Sequence, residues 1–429
     1  MEDPFITSTL PTELWEIILY FATVNEAFFD IESKSNLFES PYNINPRPIH
    51  NISTCLSLKP TILAIMNVCK LWYATVSERL FNTIDIRSSE HFEGIVAIIY
   101  RIQRRSGGSD MRKYIRRLHI RPLSFHSTDL NSPDARFLHL HITNFLSNCI
   151  NLEVLEDNVT WSRSMHMDAP DYFLAQVALR SCSRLRYFNW HWNNIHRARL
   201  TFAYPVQYLG CLQRLECLTT SVLGGEFSAA DFNFFPRDPI TLPALHTLSF
   251  ISERTSRGLV KWLAACSLPS LNVVECFDSS RQNHDDEVLE MFFSTHGHTI
   301  TSLKLLLVRP STSILHHCYK SLVELTIKAL HSTLLQSLTF PNIQRLGLFS
   351  DKNEPATGLA VLAEVGLADM TRFPILLLIR FFDLSSYTIQ NHIQSEASAA
   401  NFVVWLKVCH EQDIVVEDSM GECVSLLSV

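Results

Sequence analysis

Apolar residues recur along most of the chain in a simple unit. Two apolar positions lie three residues apart, and a third usually follows two residues later. The unit occurs nine times, at Ile115/Leu118/Ile120, Leu152/Leu155, Leu185/Phe188/Trp190, Leu215/Leu218, Leu245/Leu248/Phe250, Leu271/Val274/Cys276, Leu303/Leu306/Val308, Leu322/Leu325/Ile327 and Ile343/Leu346/Leu348. Alternating apolar residues are typical of strands, and repetition of the unit indicates strands that stack on their neighbours.

The segments between these units are expected to return along the outside of the stack. Helical spacing of apolar residues predicts returning helices at 171–179, 258–266, 285–293 and 358–367. A tenth strand is predicted within 373–382, and a helix at 401–409 with a strand at 414–416 is predicted to close the end. Leucine is common, so any single unit could arise by chance, but nine in order favour a solenoid.

The residues between the buried positions of each strand are expected to form a concave binding face. The candidate substrate-binding residues are Arg117, His119, Arg121, Tyr187, Asn189, His191, Glu275, Phe277, Arg309, Arg345 and Phe349, and Glu156, Glu324 and Lys328 lie on the same predicted face. Their mix of charge and aromatic rings suits protein recognition. A merely solvated strand face carries the same residue types.

The first 86 residues have a different pattern. Residues 10–21 predict a short one-sided helix, with Pro11 in its first turn and Leu14 and Ile18 one turn apart. Residues 25–60 are polar and proline-rich, and helical spacing resumes at Thr61 before a short strand at 84–86. Because this region has few ordered residues, it can bury little apolar surface by itself. An apolar face left exposed there would attract a partner. The alternative is a small helical cap on the array.

The motif residues in this region resemble the F-box in the form common in fungi, where a proline-rich insert separates two helices. They are Leu10-Pro11-x-Glu13-Leu14 with Ile18, then Val68-Cys69-Lys70-x-Trp72 and Leu80-Phe81. The resemblance implies binding to the Skp-type adaptor of SCF ubiquitin ligases and, through it, to a cullin. It places Leu10, Pro11, Leu14, Ile18, Val68, Cys69 and Trp72 at the adaptor interface, although Trp72 would serve equally as a core residue.

The nine repeated units resemble irregular leucine-rich repeats, whose periods usually lie near 20–29 residues. Together the patterns predict an α/β chain in three parts. Residues 1–86 are the helical F-box with its insert, residues 87–114 a linker helix and basic turn, and residues 115–429 a leucine-rich-repeat-like solenoid with a C-terminal cap. The solenoid is expected to have parallel strands on its concave side and helices and loops outside.

Composition narrows the class of protein further. The 429 residues are 47% apolar and 18% charged, which is typical of a folded chain, and the net charge of −7 gives no general attraction to nucleic acids. The first residues lack the pattern of a secretion signal, and the longest apolar run, 375–379, cannot span a bilayer. Eleven cysteines in mostly apolar surroundings indicate reduced thiols. An intracellular protein, cytoplasmic or nuclear, with no membrane partner is expected.

Catalytic and metal-binding signatures find no support in the sequence. The closest cysteines, Cys211 and Cys217, are six residues apart with no second pair, so structural zinc is not expected. The pairs His139/His141, His296/His298 and His316/His317 lack companion ligands at diagnostic spacing. No phosphate loop, nucleophile elbow or metalloprotease helix occurs. The chain is therefore expected to use no metal or cofactor and not to be an enzyme, the alternative being an enzyme with an unrecognised signature.

The densest group of basic residues precedes and enters the first repeat. It comprises Arg101, Arg104, Arg105, Arg112, Lys113, Arg116, Arg117 and Arg121. Such a group can act as a nuclear-import signal or bind an acidic or phosphorylated partner. A solvated helix face and turn is the favoured interpretation.

These predictions combine into one functional hypothesis. The chain would be a substrate-recognition adaptor of an SCF-type ligase, with the F-box holding the Skp-type adaptor and the array holding a protein substrate for ubiquitination. A protein-interaction scaffold with a degenerate F-box is the alternative.

Overall fold

The computed structural model describes the chain from residue 81 to residue 424 with several gaps. The described residues are 81–105, 110–120, 142, 144–157, 183–193, 209–223, 240–251, 257–277, 286–307, 311–328, 335, 338–349, 371–385, 388–389 and 399–424. The predicted F-box helices, the insert at 25–60 and the helices predicted at 171–179 and 358–367 lie outside these residues.

Twelve parallel strands form one sheet, and their order in the sheet is their order along the chain. The strands are β1 Thr83–Ile86, β2 Arg117–Ile120, β3 Val154–Asp157, β4 Tyr187–Asn193, β5 Cys217–Leu223, β6 Thr247–Ile251, β7 Val273–Phe277, β8 Ser302–Leu306, β9 Glu324–Lys328, β10 Arg345–Phe349, β11 Leu378–Phe381 and β12 Val415–Glu417. Eight of the nine sequence units coincide with strands β2 to β7, β9 and β10 and place their second apolar residue in the core. The unit predicted at Leu303/Leu306/Val308 is three residues late, because in β8 Leu303 is the residue that faces the core and Leu306 packs on the opposite side of the sheet. The strands predicted at 84–86, within 373–382 and at 414–416 are also confirmed, as β1, β11 and β12.

Five α-helices lie in the described part of the chain: α1 Ser89–Arg105, α2 Arg257–Ala265, α3 Asp286–His296, α4 Thr312–Cys318 and α5 Ala399–Glu411. Short 3₁₀ helices span Met111–Tyr114 and Gly297–Thr299. The helices predicted at 258–266, 285–293 and 401–409 are confirmed. Helix α4 was not predicted; it has seven residues, and the Ser311 hydroxyl caps its first turn by accepting from the Ser313 N–H at 3.2 Å. The result is a mixed α/β fold with a solenoid-like parallel sheet.

One row of apolar side chains crosses the whole sheet on its core side. Its members occupy the same register in each strand and are all buried: Ile84, Leu118, Leu155, Phe188, Leu218, Leu248, Val274, Leu303, Leu325, Leu346, Ile379 and Val416. Parallel strands need a crossover connection, so each strand gains its apolar neighbours only from the repeats before and after it. This row explains why the sequence unit repeats.

The turn that enters each strand repeats its hydrogen bonds as well. The carbonyl oxygen of Arg116 accepts from the N–H groups of Glu153 and Val154 at 2.7 and 3.0 Å, and the carbonyl of Glu153 accepts from the next repeat in the same way. Side chains in these turns reinforce the contact, since Asn151 Nδ2 donates to the Lys113 carbonyl at 2.6 Å and Asn342 Nδ2 to the Lys320 carbonyl at 2.7 Å. Backbone groups at the turns are therefore paired between repeats.

Helices α2 and α3 cover the core side of the middle strands. Phe292 of α3 is fully buried and meets Phe250 and Phe293 edge to face, with ring centroids 5.6 and 5.3 Å apart. His296 donates from Nε2 to the Leu263 carbonyl of α2 at 3.1 Å. Burial lowers the pKa of His296, so it packs here as a neutral ring. It thus acts as a core residue and not as a partner of His298 in a metal site.

The described cysteines are free thiols, in agreement with the expectation from the sequence. Cys149, Cys217, Cys266, Cys276, Cys318 and Cys409 are buried, whereas Cys211 and Cys423 are exposed. Burial raises the pKa of Cys266, Cys318 and Cys409 to about 12. None of the described helices has the length and apolar character needed to cross a bilayer.

We expect these thiols to differ sharply in reactivity, because the thiolate is the reactive form and burial also blocks access. At pH 8, a maleimide should modify Cys211 and Cys423 within minutes and leave Cys266, Cys318 and Cys409 unmodified until urea unfolds the chain. Peptide mapping by mass spectrometry distinguishes these sites. Equal modification of Cys318 and Cys211 in the folded protein would contradict the packing described above.

A second prediction concerns the core between α3 and the sheet. Phe292→Ala should lower the free energy of unfolding by about 3–5 kcal/mol, because a fully buried ring is lost and a cavity remains. Met291, on the same helix, is 37% exposed, and Met291→Ala should change this free energy by no more than about 0.5 kcal/mol. Urea unfolding followed by circular dichroism measures both variants. Equal losses in the two would show that α3 does not pack as described.

Candidate interaction surface

The side of the sheet opposite the core, called here the open face, is built from two complete rows of side chains. The middle row consists of Asp85, His119, Glu156, Asn189, Thr219, Ser249, Glu275, Lys304, Thr326, Gly347, Arg380 and Glu417, each directly opposite the next. The entry row lies two residues earlier in each strand and includes Arg117, Tyr187, Glu324 and Arg345. The entry row is mixed, because it also contains the apolar residues Val154, Cys217, Val273, Leu378 and Val415. Both rows alternate with the core row, as the pleat of a strand requires.

Opposite charges face one another across neighbouring strands of the open face. Glu275 of β7 lies opposite Lys304 of β8, with 3.9 Å between Oε1 and Nζ. In the same way Glu324 lies opposite Arg345, whose Nη1 donates to Oε1 at 2.9 Å, and Arg380 Nε donates to Glu417 Oε2 at 2.7 Å. Directly opposed charge pairs of this kind stabilise adjacent strands.

An ionic cluster at the N-terminal end of the open face is almost wholly buried. It comprises Asp85, Arg117, His119 and Glu156, none of which is more than 9% exposed. His119 lies between the two carboxylates, with Nδ1 3.0 Å from Asp85 Oδ1 and Nε2 3.7 Å from Glu156 Oε2. Arg117 donates to Glu156, and Asp85 also accepts from Arg87 Nε at 2.8 Å. Each carboxylate thus has a cationic partner, as buried charges require.

Next to this cluster, the middle of the open face is buried but polar. Burial raises the pKa of the Tyr187 hydroxyl, so this group is a neutral donor and acceptor. Asn189 is fully buried, and neither its Nδ2 nor its Oδ1 has a hydrogen-bond partner within the described structure. The buried hydroxyls of Ser249 and Thr326, in the same row, also have no hydrogen-bond partner within the described structure. Each buried polar group without a hydrogen bond lowers the stability of the fold by about 1–3 kcal/mol, so several such groups are unusual in a face that serves only for stability.

The C-terminal half of the open face carries an apolar cluster that is separate from the main core. Leu306, Phe349 and Phe382 are each 7% exposed, and the half-buried Phe277 packs against them. The rings of Phe349 and Phe382 stack with centroids 5.1 Å apart. The Lys304 ammonium lies 5.2 Å from the Phe277 ring centroid and 5.5 Å from that of Phe349, within the range of cation–π attraction.

Gly347 permits this cluster to form. A Cβ at this position would approach the Phe382 ring and the Thr326 hydroxyl to 2.4 Å, closer than any real Cβ contact. Because Gly347 has no side chain, the Phe382 ring can lie directly against the backbone of β10.

The predicted substrate-binding residues fall into two separate groups on the open face. Arg117, His119, Tyr187 and Asn189 lie in and beside the ionic cluster, and all are buried; Glu275, Phe277, Arg345 and Phe349 lie in the C-terminal half. Arg121 and Arg309 lie outside the described residues, as does the side chain of His191, whose backbone belongs to β4. The seven residues predicted to bind an adaptor also lie outside the described residues: Leu10, Pro11, Leu14, Ile18, Val68, Cys69 and Trp72.

Several open-face residues were missed by sequence reasoning. Asp85, Lys304 and Arg380 each stand in a strand between buried apolar neighbours, and Glu417 follows the buried Val416, so this alternation could have placed them on the open face. Phe382 carried no such signal, because it lies just beyond β11 and reaches the cluster only through the space above Gly347.

Part of the basic group of the sequence is neutralised in the structure. Arg112 donates to both carboxylate oxygens of Asp110. Burial raises the pKa of Asp110, but hydrogen bonds from Arg112 outweigh burial and lower it overall. Arg116 forms a forked contact with Glu153, at 2.7 and 2.8 Å from Nη2, and Arg117 pairs with Glu156. These three arginines therefore stabilise the first repeats.

Metal ligands do not gather on this surface. Among the described residues, no group of three or more histidine, cysteine, aspartate or glutamate side chains is placed to hold a metal ion. His316 is exposed beside the Tyr319 ring, His317 lies 3.9 Å from Glu290, and Cys318 is buried, so these neighbours in sequence point to different surroundings.

Comparison with protein-family models and with curated proteins returned no match for this chain.

The buried ionic cluster gives a direct test of the open face. Glu156→Ala should lower the free energy of unfolding by about 3–5 kcal/mol, because it removes the carboxylate that is paired with the fully buried Arg117. Glu153→Ala removes a carboxylate from Arg116, whose side chain is 42% exposed, and should cost no more than about 1 kcal/mol. Urea titrations measure both values. A loss for Glu156→Ala no larger than that for Glu153→Ala would contradict the buried pairing.

Proposed function

We propose that this chain is the substrate receptor of an SCF-type cullin-RING ubiquitin ligase. In this proposal its N-terminal F-box binds a Skp-type adaptor, and its leucine-rich-repeat-like array binds a protein substrate. The F-box half rests on the Leu10-Pro11-x-Glu13-Leu14 and Val68-Cys69-Lys70-x-Trp72 motifs. The array half is supported by the parallel sheet that follows them.

One observation carries the substrate-binding half of the proposal. A single sheet of twelve strands, ordered as in the chain, carries on its open face charge pairs, an aromatic cluster with the half-buried Phe277, and buried polar groups without hydrogen-bond partners in the described structure. Stacked repeats use such extended faces to bind proteins. Aromatic residues beside arginines, as at Phe277, Phe349 and Arg345, are the side chains that most often dominate protein interfaces.

The chain would catalyse nothing itself and would need no cofactor. By holding the substrate on the array and the adaptor on the F-box, it would raise the effective concentration of substrate lysines at the conjugating enzyme. A proximity effect of this kind accelerates transfer without any reacting group from the receptor.

The adaptor contact is the first step to test. We expect the full chain to bind a purified Skp-type adaptor, and Leu14→Asp to weaken this binding by more than about tenfold, because a charge would replace an apolar anchor of the interface. Leu377 is 58% exposed in the array, so Leu377→Asp is the matched control and should bind as the natural chain does. Isothermal titration calorimetry gives the affinities.

Two results would overturn the assignment. Unchanged adaptor binding by Leu14→Asp, with unchanged circular dichroism, would show that the motif does not form the interface. A complete lack of binding by the folded natural chain would favour a stand-alone interaction scaffold.

A further inference from the structure

The outward side of α1 carries two arginines that line an open cavity. The helix buries Phe92, Ile99 and Ile102 against the core. On the other side, residues at helical spacing form the cavity wall: Ala97, Tyr100, Arg101 and Arg104. Positions three and four residues apart are neighbours on a helix surface, so the two guanidinium groups project into the same region.

These two arginines differ from the other described arginines of the basic group. Arg112, Arg116 and Arg117 are each neutralised by a carboxylate. Neither Arg101 nor Arg104 forms an ion pair or a side-chain hydrogen bond with any residue that the structure describes. The carboxylate closest in sequence to Arg104, Asp110, is already occupied by Arg112 and by Gln103, whose Nε2 donates to it at 2.7 Å. Within the described part of the chain, therefore, no carboxylate compensates the positive charge of Arg101 and Arg104.

We propose that this cavity binds a phosphomonoester group carried by a phosphorylated protein segment. A single carboxylate carries one negative charge and leaves one of two arginines uncompensated, whereas a phosphomonoester has three strong acceptor oxygens and a charge of about −1.5 to −2. One such group can fill both forks at once. A long nucleic-acid backbone is disfavoured, because the chain as a whole carries a charge of −7.

The residues beside the arginines suit the flanking part of such a segment. Tyr100, which lines the cavity, is 53% exposed, and Ile98, three residues before Arg101 on α1, is 49% exposed. An apolar residue next to the phosphorylated one would bury surface against them. Affinity would then come from phosphate and peptide together, and free phosphate alone should bind weakly.

This inference goes beyond the proposed function, since it uses neither the F-box nor the open face. It would hold for a receptor, where α1 could take part in substrate capture, and equally for a scaffold outside any ligase. A failure at this site leaves the adaptor contact untouched, and a failure of the adaptor contact leaves this site untouched.

The test uses the purified full chain on an array of peptides with a fixed central phosphoserine and degenerate flanks, with matching arrays that carry serine or glutamate at the centre. We expect at least tenfold stronger binding to the phosphoserine array than to the other two. The double variant Arg101→Gln/Arg104→Gln should lose this preference. Arg101→Lys/Arg104→Lys keeps the charge but not the forks and should bind several-fold more weakly than the natural chain.

A matched control removes the same two charges elsewhere. Arg184 and Arg214 are exposed and also form no ion pair with the described residues, yet they lie away from α1 in sequence and do not line the cavity. Arg184→Gln/Arg214→Gln should bind the phosphoserine array as the natural chain does. Circular dichroism checks that each variant is folded.

Three outcomes would overturn the proposal. The first is equal binding to the phosphoserine, serine and glutamate arrays. The second is an equal loss in the Arg184/Arg214 and Arg101/Arg104 double variants, which would indicate only a general charge effect. The third is competition by inorganic phosphate as strong as that by a soluble phosphoserine peptide, which would assign the site to free phosphate instead.

Discussion

One buried apolar side chain per strand, held in the same register from β1 to β12, is the constraint on which the rest of this structure depends. No parallel strand can pair with the next through a short turn, so each repeat is stabilised only once its neighbours are in place. A slip of one residue would turn the core row outward and bury the charged row. The connections, in contrast, vary widely in length, because lengthening a loop costs little free energy: each doubling adds only about 0.6 kcal/mol.

This constraint also decides where chemical variety can lie. The core row admits only apolar side chains, whereas the open face tolerates charges as long as neighbouring strands neutralise them. At its N-terminal end, Asp85, His119 and Glu156 meet in consecutive strands and are buried. At its C-terminal end, Lys304 lies among aromatic rings instead. The two ends therefore offer a partner different surroundings. At the N-terminal end the charges are already paired with one another, whereas the C-terminal end has the half-buried ring of Phe277 and the partly exposed Arg345.

The strands were predictable and the contacts were not, for physical reasons. Burial on one side of a strand leaves a period of two in the sequence, so the strands and the face of residues such as Asn189 could be predicted. The burial of individual side chains on that face could not be predicted, because it depends on neighbours in other repeats. Arg117 and Tyr187, for example, have the residue types of a solvated surface but are buried. Helix α4 was missed because seven residues are too few for a helical period to stand out. The contact of Phe382 with Phe349 is possible only because Gly347 has no side chain. These residues belong to different repeats, so no local sequence pattern predicts the contact.

The basic group shows how charge pairing separates structural from available charges. From the sequence alone its eight residues form one patch. In the structure, Arg112, Arg116 and Arg117 each have a carboxylate within hydrogen-bonding distance, and their positive charge is compensated within the fold. A group already paired in this way must give up its partner before it can bind another anion, which costs free energy that an unpaired arginine does not lose. Among the described residues, Arg101 and Arg104 have no carboxylate partner to give up, so on the proposal above an anion from outside would be recognised at these two arginines.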